Sequence, residues 1–226
     1  TSMHEVLGHA SGKVPETLAG EPVDHLRETY NTLEEARAEL LALFHGQDPL
    51  LLEIGALSDA AAAEESLRAY PRFALMQLRR IKQGDRIEDD HMRAAWMITQ
   101  WLMRAKGVVA FVNEDGNTYA RVTDLDGMRA GIAELTREIQ RIKATGDYDA
   151  AKMLVDEYAI HFDPTLRDEV VARAARAGVP DFYAAVMPRM VPVVGADGVL
   201  VDVALGEPES FLDQMLRFDR AEQEWP

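Results

Sequence analysis

Apolar residues recur at helical spacing along most of this chain. The first long example begins at Asp24 and ends near Phe44, and further helical patterns cover residues 59–69, 72–82, 88–106, 125–144, 148–160, 165–177 and 209–220. Two short segments rich in Val and other β-formers each contain an Asp-Gly pair, which is typical of a β-hairpin. These predicted hairpins cover residues 108–122 and 191–203. The pattern therefore predicts a mainly α fold with two small β-hairpins.

Aspartate and proline mark the expected ends of several helices. Asp59 is a predicted N-cap, and either Asp124 or Asp126 is expected to cap the helix that follows it. Pro71 stands inside an apolar pattern, and proline lacks the N–H that an α-helix needs. We therefore expect Pro71 to separate two helices.

Composition narrows the chemistry that this fold could carry. The chain has 226 residues, 47% of them hydrophobic and 28% charged, which is typical of a globular protein. The net charge of −15 argues against nucleic acid as a partner, and no apolar stretch is long enough to predict a membrane span. Because the sequence contains no cysteine, any metal site must use His, Asp or Glu, which is typical of catalytic zinc.

The strongest chemical signal is a motif near the start of the chain, His4-Glu5-Val6-Leu7-Gly8-His9. Imidazole is a common zinc ligand, and an adjacent carboxylate can act on water. On a regular helix, residues five positions apart are rotated by roughly 140°, so both rings would not face one ion. A one-residue bulge in the predicted helix over residues 2–10 would bring them together, and Gly8 tolerates such distortion best.

Two histidines leave a catalytic zinc site one protein ligand short. The next predicted helix contains Glu34, Glu35 and Glu39, and the last two share a face because they are four residues apart. One of these carboxylates can bind a metal while another accepts a hydrogen bond from a ligand histidine. Taken alone, the three acids are more typical of a solvated helix face that pairs with Arg37.

Together, the two motifs resemble the paired signatures of the dipeptidyl peptidase III family of zinc metallopeptidases. The similarity spans most of the chain, because three further segments are also family-like: Ser11-Gly12-Lys13, His91-Met92-Arg93-Ala94 and the tail around Pro188 to Asp202. The chain departs from the family pattern at Ala95, where the family has an arginine.

The resemblance implies a role for each residue that matches a family motif. These roles are His4, His9 and Glu35 as zinc ligands, Glu5 as the general base, Glu34 and Glu39 as outer carboxylates, and His91 as a histidine that holds substrate and stabilises the transition state. The implied activity is that of a zinc-dependent exopeptidase that releases dipeptides from the amino end of oligopeptides. Two other hypotheses stay open, namely a zinc endopeptidase and a metal-binding but catalytically incomplete fragment or pseudo-peptidase.

The dipeptidyl peptidase III family is built from two lobes, so the resemblance also implies a domain organisation for this chain. We interpret residues 1–226 as one mainly helical catalytic lobe, the C-terminal part of a larger peptidase. Residues 181–226 are expected to form a tail that packs toward the missing N-terminal lobe. The expected partners are that lobe and an oligopeptide substrate, and the expected location is the cytoplasm.

Overall fold

The fold is seen in a computed structural model, which describes residues 3–179, 189–207 and 209–223. The chain divides into two compact units, Thr1–Val179 and Pro180–Pro226. In the first unit, the described elements follow in chain order as the π-helix Met3–His9, α1 Pro22–Leu26, α2 Tyr30–His45, α3 Leu50–Glu53, α4 Ala60–Gln77, α5 Asp90–Arg104, β1 Val109–Glu114, β2 Asn117–Val122, α6 Leu125–Thr145, α7 Tyr148–Tyr158 and α8 Pro164–Arg176. The predicted mainly α fold is confirmed.

Each helix from α4 to α8 begins directly after an aspartate. The carboxylate accepts a hydrogen bond from a backbone N–H in the first turn, which would otherwise have no partner inside the helix. These N-caps are Asp59, Asp89, Asp124, Asp147 and Asp163. The structure confirms the predicted cap at Asp59 and, of the two candidates near the start of α6, selects Asp124, since Asp126 lies within the first turn.

The predicted helix from Asp24 to Phe44 is wrong at its start. Arg27 has a φ of 52°, which ends α1, and a 3₁₀ turn over Arg27–Thr29 leads into α2. A residue with a side chain in such a sparsely populated backbone region costs about 1–3 kcal/mol. Tertiary contacts offset this cost, because Leu26 is buried and the Arg27 guanidinium lies 4.8 Å from the centre of the Tyr148 ring.

The predicted break at Pro71 is also wrong, since α4 continues through it. A proline inside a helix removes one backbone hydrogen bond and costs about 3 kcal/mol. Here Pro71 lies beside Leu67, Tyr70 and Ala74, which are buried in the main core. We attribute the continuity of α4 to the apolar burial of this face, which an interruption would lose.

The core of the first unit surrounds α2, which packs against the π-helix, α5 and α6. Its buried side chains include Leu33 and Leu40 of α2, Ile98 of α5 and Leu135 of α6. The β1–β2 hairpin pairs in an antiparallel register, with Val109 opposite Val122. Because α2 is held from several sides, the residues that it presents to the π-helix have fixed positions.

The second unit contains a hairpin and a helix among its described residues. The strands β3 Met190–Val194 and β4 Leu200–Leu205 are antiparallel, with an irregularity between Val193 and Val194, and α9 covers Phe211–Gln223. The predicted second hairpin is thus confirmed. Every residue of β3 and β4 is exposed. In the described ranges, no helix has the length and apolar character that crossing a membrane requires.

Candidate metal centre

The first motif lies on a π-helix that extends from Met3 to His9. A π-helix joins residues five apart by hydrogen bonds, so it corrects the rotation that a regular helix would impose on the two histidines. The ring centres of His4 and His9 are 4.8 Å apart, and their Nε2 atoms are separated by 3.1 Å. The predicted helical bulge is therefore confirmed.

Gly8 has a different role from the backbone freedom that the sequence suggested. It does not adopt a positive φ. Instead it is buried against α2, where a Cβ atom at Gly8 would lie only 2.6 Å from the Cβ and 2.7 Å from the Cα of Ala38. The absence of a side chain thus allows the π-helix to approach α2 closely enough for its histidines to reach the glutamates.

Glu35 brings a carboxylate to the two histidines. Its Oε2 atom lies 3.2 Å from His4 Nε2 and 3.7 Å from His9 Nε2, so three candidate ligand atoms form a compact triangle. Tetrahedral ligands about 2.0–2.2 Å from a zinc ion are roughly 3.3–3.6 Å from one another. The spacing of these three atoms therefore fits a single ion of this size.

The environment of Glu35 supports the same fit. Among the described residues, its Oε2 atom is buried and receives no hydrogen bond. His4 is close to this oxygen, but the atoms are not aligned as a hydrogen bond requires. A buried carboxylate oxygen without a donor is costly. A cation between Oε2 and the two imidazoles would remove that cost, so these three residues could hold a metal.

Glu34 and Glu39 lie behind the two imidazoles. Glu34 Oε1 is 3.6 Å from His9 Nδ1, and Glu39 Oε1 is 3.8 Å from His4 Nδ1. Each carboxylate therefore faces the ring nitrogen that points away from the triangle. This is where an acceptor can orient a ligand imidazole. The structure places both of these predicted residues at the site.

The two outer carboxylates have opposite electrostatic environments. Burial opposes ionisation of Glu34, but hydrogen bonds from Arg37 and Lys143 outweigh it and hold the pKa of its carboxyl below the usual value. For Glu39, burial dominates and raises the pKa of the carboxyl, although the nearby His4 partly opposes this. Burial, together with the charge of Glu39, also raises the pKa of Tyr70 well above its usual range.

Two cations at the site were not predicted as functional residues. Arg37 is only 1% exposed, and it donates to both oxygens of Glu34 and, through longer hydrogen bonds, to the His9 carbonyl and Ser11 Oγ. Lys143 of α6 donates to Glu34 Oε2 across 2.8 Å. The contact of Arg37 with Glu34 is the pairing that the helix pattern suggested. No local pattern identifies Lys143, because it is distant in sequence.

The remaining two predicted residues are exposed. The Glu5 side chain makes no hydrogen bond or ion pair with any described residue. His91, in the first turn of α5, has a side chain that is 71% exposed, with Nε2 lying 3.5 Å from Glu35 Oε1. Ala95, where the resembled family has an arginine, is buried in the core. Both oxygens of Glu35 thus have a histidine nearby, and among the predicted site residues only the Glu5 side chain forms no hydrogen bond or ion pair with another of them.

Comparison with known proteins places this chain in a family. The sequence profile of Peptidase family M49 matches residues 20–177, a range that includes Glu34, Glu35, Glu39 and His91 and begins after the motif His4–His9. This chain belongs to Peptidase family M49. The mouse (Mus musculus) protein dipeptidyl peptidase 3 is 28% identical to this chain, called the M49 chain below. The alignment spans 76% of the M49 chain and 29% of the mouse protein.

Solved structures show the same relationship. DPP III from Caldithrix abyssi is 26% identical to the M49 chain, with a TM-score of 0.57 over 76% of the chain and 30% of that structure. Dipeptidyl-peptidase III from Corallococcus sp. strain EGB is 24% identical and has the same TM-score, which shows likeness of fold. The M49 chain therefore spans less than a third of the length of these relatives.

Proposed function

We propose that the M49 chain carries the catalytic centre of a zinc-dependent exopeptidase that releases dipeptides from the amino end of oligopeptides. His4, His9 and Glu35 would hold the zinc ion, with Glu34 and Glu39 orienting the two imidazoles. The observation that carries the proposal is the triangle of two Nε2 atoms and the buried Glu35 Oε2, with separations of 3.1, 3.2 and 3.7 Å. Two histidines and one glutamate are the ligand set of several zinc peptidases.

The remaining residues supply proton transfer and charge stabilisation. When bound, zinc supplies Lewis acidity that makes a water molecule more acidic and polarises the scissile carbonyl. Glu5, whose exposed side chain forms no hydrogen bond or ion pair with a described residue, accepts the proton from the attacking water and passes it to the leaving amine. His91 is held near the centre by its contact with Glu35 and donates a hydrogen bond to the oxyanion that develops.

The first test replaces Glu5 by Gln, which keeps the size of the side chain and removes the base. The chain, joined to the remainder of its protein, is assayed by mass spectrometry of the products from unlabelled oligopeptides. We expect hydrolysis to fall by roughly 100-fold or more, while the zinc content stays at one ion per chain. The matched control is Glu16→Gln, because Glu16 is also exposed and lies outside the motif.

The products separate the competing hypotheses. Dipeptides from the amino end support the exopeptidase, whereas internal fragments would identify an endopeptidase. Zinc bound without any hydrolysis would leave a metal-binding but catalytically incomplete module. If His4→Ala and Glu35→Ala bind zinc as tightly as the unaltered chain, the assignment of the metal centre is wrong.

We also propose that residues 181–226, of which 181–188, 208 and 224–226 lie outside the described residues, pack against a lobe of the same protein that lies outside this chain. Support comes from β3 and β4, whose apolar residues are exposed on both faces, including Val201 at 64% and Leu205 at 70%. Exposed apolar surface of this kind marks an interaction site. We expect amide hydrogen exchange in β3 and β4 to slow when the chain is joined to the remainder of its protein. Equal exchange rates in the two forms would refute this packing.

A further inference from the structure

Lys143 lies in the last turn of α6, more than a hundred residues from either metal motif in sequence. A lysine at a helix C-terminus commonly stays in water, where it still interacts with the helix dipole. Here the side chain is only 12% exposed, and its Nζ atom donates to Glu34 Oε2 across 2.8 Å. Ordering and partly desolvating a lysine costs free energy, so the helix dipole alone does not account for this placement.

The need to neutralise the charge of Glu34 does not account for the placement of Lys143 either. The Arg37 guanidinium already donates to both oxygens of Glu34, through Nε to Oε2 and Nη2 to Oε1. Addition of Lys143 places two positive charges on one carboxylate. Lys143, which is on a different helix from Glu34 and Arg37, donates only to Oε2 and so adds a restraint from α6 to the carboxylate that Arg37 already contacts through both oxygens. Oε1 is then left facing His9 Nδ1 at 3.6 Å.

The outer carboxylate of the other histidine has no such tether. Glu39 Oε1 lies 3.8 Å from His4 Nδ1, and no lysine or arginine of the described part of the chain forms an ion pair with Glu39. The difference matches the exposure of the two ligands, because the His9 side chain is 32% exposed and that of His4 is 13% exposed. Surrounding atoms hold His4 by burial, whereas His9 depends more on its polar contacts.

We propose that Lys143 is a positioning residue for His9, acting through Glu34, and that α6 is thereby part of the metal centre. The proposal rests on the metal ligands proposed above, and it adds that metal binding also depends on Lys143, a residue outside both sequence motifs. Lys143 fixes Glu34, Glu34 orients the imidazole, and the imidazole presents Nε2 to the ion. Removing a partner that orients a ligand typically weakens metal binding by about 10–100-fold.

The test measures cobalt(II) binding to the chain and the ¹⁵N resonances of its histidine rings without metal. We expect Lys143→Met to weaken cobalt binding by about tenfold or more, to alter the cobalt absorption spectrum and to shift the His9 ring resonances more than those of His4. Lys143→Arg, which keeps a cation, should retain most of the affinity. The matched control is Lys106→Met. Lys106 forms an ion pair with Glu134 of α6, at 2.5 Å, away from the metal centre.

An unchanged affinity together with unchanged His9 resonances in a folded Lys143→Met variant would overturn the proposal. Equal weakening by Lys106→Met would also overturn it, because the effect would then belong to the stability of α6. The ring resonances keep this inference separate from the assignment of the metal ligands. If the unaltered chain binds no cobalt, the ligand assignment fails, and the His9 resonances alone decide whether Lys143 orients that ring.

Discussion

Replacing Gly8 by Ala tests whether close packing of the π-helix on α2 builds the metal centre. The added Cβ would lie 2.6 Å from the Cβ and 2.7 Å from the Cα of Ala38. Carbon atoms in ordinary contact are about 3.5–4.0 Å apart, so the two elements must separate by roughly 1 Å. Such overpacking costs about 1–3 kcal/mol of the free energy of unfolding.

The same displacement moves His4 and His9 relative to Glu35. Metal–ligand distances tolerate deviations of only about 0.2 Å, so a shift of roughly 1 Å should also weaken zinc binding by about 10–100-fold, as loss of an orienting partner does. Urea unfolding measures the first effect, and competition with a chelating dye measures the second. A variant that unfolds at the same urea concentration and keeps its zinc affinity would refute the reasoning.

Two further variants identify the cause of the Gly8→Ala effect. Ala38→Gly removes the 2.6 Å contact but not the contact with the Ala38 Cα atom at 2.7 Å. Glycine within α2 itself costs about 1 kcal/mol. We nevertheless expect the double variant, Gly8→Ala with Ala38→Gly, to lose less free energy of unfolding than the sum of the losses in the two single variants. Val6→Ala is the control, because Val6 is on the same π-helix but is 67% exposed; it should change neither measurement appreciably.

Three other substitutions test contacts within the first unit. Arg37→Met should lower the free energy of unfolding by about 1–3 kcal/mol, since it removes one of the two cations that donate to the Glu34 carboxylate while Lys143 remains; an unchanged free energy in urea unfolding would contradict this. Asp59→Ala should cost about 1 kcal/mol by removing the N-cap bond to Ala62, and an unchanged unfolding midpoint would show that the cap is dispensable. Trp96→Phe removes the 2.9 Å bond from the indole Nε1 to the His161 carbonyl and should cost about 1 kcal/mol in thermal unfolding, whereas an unchanged melting temperature would assign the role of Trp96 to packing alone.

Local sequence determined the elements and much of the candidate site. Helical periodicity predicted most helices, aspartate caps were predicted for two of them, and Asp-Gly turns predicted both hairpins, because these signals act within a few residues. The five-residue spacing of His4 and His9 required a bulge if both rings were to meet, and the structure has a π-helix there. The acids of α2 were predicted to approach the histidines, and they do.

Tertiary structure decided what local signals could not specify. Arg27 adopts a positive φ and α4 continues through Pro71, because burial of neighbouring apolar side chains outweighs a local cost of a few kcal/mol. The need for glycine at position 8 arises from Ala38 on another helix, and Lys143 reaches Glu34 only through the packing of α6 on α2. The sequence by itself determined which side chains could bind a metal; contacts between distant segments determined how those side chains are held, because no local pattern records which residues meet across a folded core.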